Sequence, residues 1–215
     1  MTSRALPPLS PAGRVVKRAV DVVGAAVGLL LASPVLLAAA AAIRLDSRGR
    51  VLFRQDRLGL DGRSFQMLKF RTMRTDADDA IHREYVTRML VDDAVEGGKA
   101  GVFKLADDPR ITRTGRWLRK TSLDELPQLI NVLKGQMSLV GPRPVLAWEA
   151  ELFTEEERLR FAVKPGLTGL WQVAGRNQMS MRDALRFDVE YVRHQSLTLD
   201  AKIAIRTVPA LLKGF

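Results

Sequence analysis

Val22 to Ile43 forms an apolar run of 22 residues without a charge. As one helix it would be roughly 33 Å long, enough to cross the core of a bilayer. Ser33-Pro34 sits near its middle. A proline there removes a backbone hydrogen bond and crowds the preceding turn, which predicts a break or kink, and the Ser33 hydroxyl can bond back to a freed carbonyl. After the run, polar and apolar positions alternate. VLFRQDRLGL and RSFQMLKFRTM flank Asp61-Gly62, which predicts a β-hairpin over Val51 to Met73. By strand alternation Lys69 and Arg71 then share a face; taken alone they read as a charged strand edge. Helical spacing takes over at Leu126, Leu129, Ile130 and Leu133, with Gly135 as the stop. That places Asp124 and Glu125 at a helix N-terminus, with Pro127 in its first turn. Further helices are predicted over about 76–90, 149–160 and 181–194. The tail from Leu197 is apolar with interspersed lysine and arginine, and fits an interfacial helix or one packed on the core.

Charge changes the reading of the apolar run. Arg14, Lys17 and Arg18 precede it, and Arg44, Arg48 and Arg50 follow it. Basic flanks orient a spanning helix by asymmetry, and here both flanks favour the cytoplasm. A helix-break-helix that enters and leaves on one face satisfies both. A single kinked span and a cleaved signal peptide are the rival readings; Asp21 at the head of the run argues against the second. The predicted organisation is therefore an N-terminal tail over 1–16, a re-entrant membrane helix over 17–45 and a membrane-surface domain over 46–215. The fold class is mixed α/β, mostly helical, with one short hairpin.

Composition narrows the chemistry. The chain has no cysteine and two histidines, His82 and His194. This excludes thiolate nucleophiles, zinc clusters, disulfide scaffolds and most Ser-His-Asp arrangements. Any metal would be a hard cation held by carboxylates and phosphates, most simply Mg²⁺. The formal net charge is +10, which suits a polyanionic partner. It is uneven: Thr75 to Asp108 holds nine Asp/Glu against four Lys/Arg, so the basic surface lies elsewhere. Aromatic residues are 6% of the chain, too few for the stacking platforms of a membrane-tethered nucleic-acid-binding or adaptor protein, the competing function class.

The stretch TSLDELPQL sets Asp124 beside Glu125. At a helix start such a pair is ordinarily a cap. Here Arg110, Arg113, Arg116, Arg119 and Lys120 precede it, and arginines at an anion-accepting helix end can neutralise phosphate. A carboxylate among arginines stays ionised and can serve as a nucleophile, while its neighbour can share Mg²⁺ or handle protons. The Pro142-Arg143-Pro144 turn holds another guanidinium stiffly. The loop GLTGLWQVAGRN carries neither a dinucleotide-binding nor a P-loop signature.

Asp21, Ser33-Pro34, KFRTM (69–73), the run from DDPRITRTGRWLRKTSLDELPQL through VGPRP (107–144) and PGLTGLWQVAGRN (165–177) together resemble the bacterial sugar transferases. These are the monotopic phosphoglycosyl transferases that begin glycan assembly on undecaprenyl phosphate. The resemblance covers about Lys17 to the C-terminus. It implies transfer of a sugar-1-phosphate from a UDP-sugar to undecaprenyl phosphate at the cytoplasmic face of the bacterial inner membrane, through a covalent aspartyl-phosphosugar. It implies Asp124 as nucleophile and Mg²⁺ ligand with Glu125 beside it, and Arg119, Arg143 and Arg176 as phosphate or nucleotide contacts. Lys69 and Arg71 are carried over as supports near the site, and Ser33-Pro34 as the membrane break. Inner-membrane lipids are the implied surroundings, no nucleic acid is expected, and a homodimer is left open. The chain lacks the large N-terminal membrane domain of bigger relatives, which reads as a minimal catalytic form. GLTGLWQV departs from the family's usual aromatic placement, so the resemblance names neither the sugar nor the base.

Overall fold

The computed structural model describes residues 9–74, 80–91, 108, 110–174 and 179–212. It opens with one long helix, α1, Pro11–Asp46. Ser10 caps it, accepting a hydrogen bond from the Gly13 N–H at 3.1 Å, and Pro11 occupies the first turn, where no amide donor is needed. The helix thus begins inside the stretch read as tail. The break expected at Ser33-Pro34 does not interrupt it: the helical turns run on through Pro34. Proline frees the Leu30 carbonyl four residues back, and the Ser33 hydroxyl donates to that oxygen at 2.8 Å, so the missing bond is replaced from within the chain.

The hairpin forms as expected, with β1 Leu52–Leu58 antiparallel to β2 Ser64–Phe70 and Leu52 opposite Phe70. At its tip Asp61 and Gly62 both adopt positive φ, 56° and 70°, the backbone state that Asp and Gly tolerate best. Next described are α2 Ala80–Val91 and α3 Arg113–Thr121. A single 3₁₀ turn, Leu123–Glu125, leads into the short α4 Gln128–Leu133. The predicted helix over 149–160 is divided into α5 Ala147–Glu151 and a 3₁₀ stretch Glu157–Ala162. Two three-residue strands, β3 Ser138–Val140 and β4 Gly166–Thr168, pair in parallel. The chain continues through α6 Leu170–Ala174, α7 Met181–His194 and α8 Leu197–Leu212. The 181–194 helix matches its expectation, with Ser180 and Asp183 forming a reciprocal cap.

α1 lies along the rest of the molecule at both of its ends. Towards its N-terminus Ala25 packs with Phe65, Met67, Leu129, Val132 and Met137. Towards its C-terminus Ala39 and Ile43 pack with Phe70 and Leu118. Polar anchors repeat this arrangement. Lys17 bonds Asp200 at 2.6 Å, Arg18 bonds the Val132 and Leu133 carbonyls at 2.6 and 2.8 Å, and Asp21 accepts from Ser138 Oγ and Leu139 N–H at 2.9 Å each. At the far end Asp46 accepts from the Thr114 N–H at 2.9 Å. Between these anchors Leu30, Leu31 and Leu37 are each more than 70% exposed, so the apolar stretch does not behave as the core helix of a globular domain.

Candidate active site

Asp124 and Glu125 lie on the 3₁₀ turn rather than at the start of an α-helix, and Pro127 immediately precedes α4 instead of lying inside it. The reason is local. Ser122 takes a left-handed conformation, φ 57°, at the end of α3, which ends that helix and re-aims the chain within one residue. The turn is gripped by its own apolar residues. Leu123 packs on the cluster holding Ala39 and Ile43, and Leu126 on the cluster holding Ala25. The carboxylates between them are therefore fixed beside the middle of α1.

Asp124 is buried, 6% exposed. Lys69, at the end of β2, places its ammonium 3.0 Å from Glu125 Oε1. A buried asparagine sets that register. Asn131 of α4 accepts from the Leu68 N–H at 3.0 Å and donates to the Gln66 carbonyl at 2.7 Å, which fastens the strand to the helix on either side of Met67. Burial lowers the Lys69 pKa, Glu125 and Asp124 oppose that shift, and Arg143 adds to it. Burial likewise lowers the Arg119 pKa while Asp124 and Asp108 pull it back up; as a guanidinium it stays charged throughout. Two carboxylates thus face Lys69, Arg119 and Arg143, a field ready to receive phosphate.

Arg119 reaches the pair because α3 approaches the strand exit very closely. A Cβ on Gly115 would lie 2.1 Å from the Thr72 carbonyl oxygen, so any larger residue would push the helix away. Of the other arginines of the run, Arg110 is held by Asp108 at 2.8 Å, and Arg113 and Arg116 are exposed.

Arg71 sits elsewhere. β2 ends at Phe70, so strand alternation stops one residue short, and the Arg71 guanidinium turns to Ser47 and the Arg48 carbonyl at the end of α1. There it closes the C-terminus of that helix instead of joining the carboxylates. Arg176 lies outside the described residues.

The Pro-Arg-Pro turn has a support that sequence reasoning did not reach. Arg160 donates to the Arg143 carbonyl and to Asp188 at 2.6 Å, and both side chains of that pair are 2% exposed. Burial pushes the Asp188 carboxyl up to about 6, against the pull of Arg160 and of a hydrogen bond from the Arg143 backbone N–H. Only a fold that brings α7 under residues 142–144 makes the pair visible. A narrow cleft, with about 10 Å³ of open space, runs between Lys69, Glu125, Gln128, Arg143 and Gln172. Gln172 Oε1 is buried there without a hydrogen-bond partner among the described residues. The glycine-rich loop marked this neighbourhood in the sequence without singling out the glutamine. A larger cavity of about 470 Å³ lies between α7 and the 3₁₀ stretch. Its ions pair with one another, as Arg182 does with Glu157 at 2.8 Å, and it contains neither carboxylate of the pair.

Comparison with known proteins identifies the family. Residues 12–214 match the family model described as bacterial sugar transferase. The exopolysaccharide production protein ExoY of Rhizobium meliloti is 43% identical over 94% of this chain and 87% of its own length. The UDP-glucose:undecaprenyl-phosphate glucose-1-phosphate transferase of Escherichia coli is 43% identical over 97% of this chain and 42% of its own. The undecaprenyl-phosphate galactose phosphotransferase of Salmonella typhimurium is 39% identical over 93% of this chain and 41% of its own. The chain thus spans most of the first of these relatives and about two fifths of the other two.

Proposed function

This chain belongs to the bacterial sugar transferase family, an enzyme family of sugar-phosphate transferases, and on that premise we propose that it moves a sugar-1-phosphate from a UDP-sugar to undecaprenyl phosphate. The observation that carries the mechanism is the buried Asp124 carboxylate, set between Lys69 and Arg119 beside the apolar face of α1.

An Asp124 oxygen attacks the β-phosphorus of the donor, and the bond from that phosphorus to the bridging oxygen breaks. UMP leaves and the phosphosugar remains on the carboxylate as an acyl phosphate. An oxygen of the lipid phosphate then attacks the same phosphorus, the acyl-phosphate bond breaks, and Asp124 is regenerated with the lipid-diphosphate-sugar released. One phosphoanhydride is exchanged for another, so no nucleotide triphosphate is required. Arg119, Arg143 and Lys69 neutralise charge on the phosphates, and forming the covalent intermediate avoids bringing two polyanions together at once.

In this reading Asp124 would also hold Mg²⁺. Glu125 is already engaged by Lys69, and among the described residues no group of three acidic or histidine side chains could hold a metal. A hard cation held by a single carboxylate would need oxygen donors beyond this chain's own side chains. When bound, the ion would polarise the diphosphate and offset its charge.

The same reading places α1 in the membrane from one side. A helix of 36 residues is about 54 Å long. A straight crossing would carry its two ends to opposite faces, yet both ends are anchored to one body by Arg18 and Asp21 at the start and Asp46 at the close. The helix instead sinks its exposed apolar face into one leaflet, with the domain beneath it on the cytoplasmic side, where UDP-sugars are found. The test is Mg²⁺-dependent UMP release from a panel of UDP-sugars with undecaprenyl phosphate. The wild type should release UMP and Asp124→Asn should not, although asparagine retains the fold. Normal turnover by folded Asp124→Asn would refute the mechanism.

A further inference from the structure

A second cavity, of about 240 Å³, lies at the N-terminal end of α1 and shares no lining residue with the catalytic cleft. Its wall holds four cations, Arg14, Lys17, Arg18 and Lys164, and a single carboxylate, Asp21. That carboxylate is committed to Ser138 and the Leu139 N–H. Lys17 is matched by Asp200. Among the described residues Arg18 bonds the neutral Val132 and Leu133 carbonyls and pairs with no acid. Lys164 makes no ion pair among the described residues and sits half-buried. Burial and the nearby Arg18 and Lys17 lower its pKa, with Asp21 opposing. A Cβ built on Gly135 would lie 3.5 Å from Arg18 Nη2 and 3.6 Å from Lys164 Nζ, so the two cations converge on one point. Gathering like charges in a partly desolvated hollow is unfavourable unless an anion joins them.

Placement identifies the anion. Asp21 is the last charged residue before the apolar run, so on that placement the cavity lies where the membrane-facing stretch of α1 begins, at the level of lipid headgroups. Val15, Val16 and Val20 are exposed on the same turns. Leu9, Leu60 and Val163 give the wall an apolar part as well, suited to the start of an acyl chain. We infer that this cavity binds the phosphate of an anionic membrane phospholipid, held chiefly by Lys164 and Arg18 and separate from donor and acceptor at the catalytic cleft. The inference rests on the membrane placement of α1 proposed above and does not require the transfer reaction. A phosphate there would tie α1 to the Lys164 segment that leads into β4, adding to the bonds of Arg18 to the α4 carbonyls.

The test is thermal unfolding of the full chain in neutral detergent with added phosphatidylglycerol, phosphatidylcholine or inorganic phosphate, and no UDP-sugar. Wild type and Lys164→Gln are compared with Arg88→Gln, which removes one exposed charge from α2. Without lipid, Lys164→Gln should melt at or above the wild-type temperature, because a repulsive cation has gone. With phosphatidylglycerol the wild type and Arg88→Gln should gain several degrees and Lys164→Gln less than half of that gain, while phosphatidylcholine and inorganic phosphate should shift none of them comparably. Equal gains by Lys164→Gln and wild type would overturn the site, and an equal shift with inorganic phosphate would overturn its assignment to a lipid. Flotation with vesicles separates this from the topology: a chain that does not float refutes the membrane placement itself, whereas floating with equal lipid gains refutes only the cavity.

Discussion

Asp124 was legible in the sequence because a carboxylate pair beside arginines is chemically unusual, whereas the support behind Arg143 was not. Nothing in TSLDELPQL or VGPRP points to Arg160 and Asp188, which reach the Pro-Arg-Pro turn only through the packing of α7. Strand alternation misled at Arg71. It shares a strand-like motif with Lys69, but the strand ends one residue before it. Two predictions belong at this scale. Arg143→Lys keeps the charge and loses the planar fork that can grip phosphate through two bonds. Its kcat/KM should fall at least about tenfold, equivalent to about 1.4 kcal/mol, with near-wild-type stability; unchanged kinetics would remove Arg143 from the site. Burial pushes the folded Asp188 carboxyl up to about 6 from its ordinary 3.8. Between those values the folded state keeps a proton that the unfolded chain has lost, so this group's contribution makes stability fall as pH rises through that window and level off above it. The size is about 3 kcal/mol at 1.36 kcal/mol per unit. Urea unfolding at pH 4 and pH 7 should show this component in the wild type and not in Asp188→Asn, which leaves Arg160 unpaired and is less stable at both. Parallel pH slopes for the two proteins would contradict it.

Among the elements, those with strong periodicity or turn chemistry were readable. The hairpin follows from alternation around Asp61-Gly62, and α7 from its serine cap and apolar spacing. Three-residue strands carry no periodicity to read, so the parallel β3–β4 pair was invisible, although it sets the Gly166 wall of the cleft. The 3₁₀ turn was read as a helix start because capping preferences for Asp and Glu are the same in both settings. The Ser33 back-bond to the Leu30 carbonyl was readable from Ser33-Pro34, but not that the helix would run on through Pro34 without a break. The link that positions Lys69 is Asn131, buried to 1% exposure. Asn131→Ala would strand the Leu68 N–H and the Gln66 carbonyl, each costing about 1–3 kcal/mol. Chemical denaturation should report that loss, together with a fall in kcat as the register of β2 against α4 loosens. A variant as stable and active as wild type would show that the strand is held in another way.

For the whole molecule, the family and its reaction class were legible because the motifs occur in order along most of the chain. The geometry that makes them one site was not. It depends on α1 being gripped at both ends, so that the carboxylate turn lies against its middle. Topology follows from that grip. Single cysteines at Thr2→Cys and Phe215→Cys, in a chain that has none, should both resist an impermeant maleimide in intact cells and react after permeabilisation. Labelling of the N-terminal site alone in intact cells would show a crossing helix. The central claim, however, is chemical: Asp124 carries the sugar phosphate between donor and lipid. Its most direct test is mass spectrometry of the enzyme after incubation with UDP-sugar and Mg²⁺ without lipid acceptor, quenched rapidly in acid. The account predicts a mass increase of one phosphosugar on the peptide containing Asp124, absent from Asp124→Asn and discharged by adding undecaprenyl phosphate. Lipid-linked product formed at the normal rate with no adduct on that peptide, or with an adduct that undecaprenyl phosphate does not discharge, would contradict it.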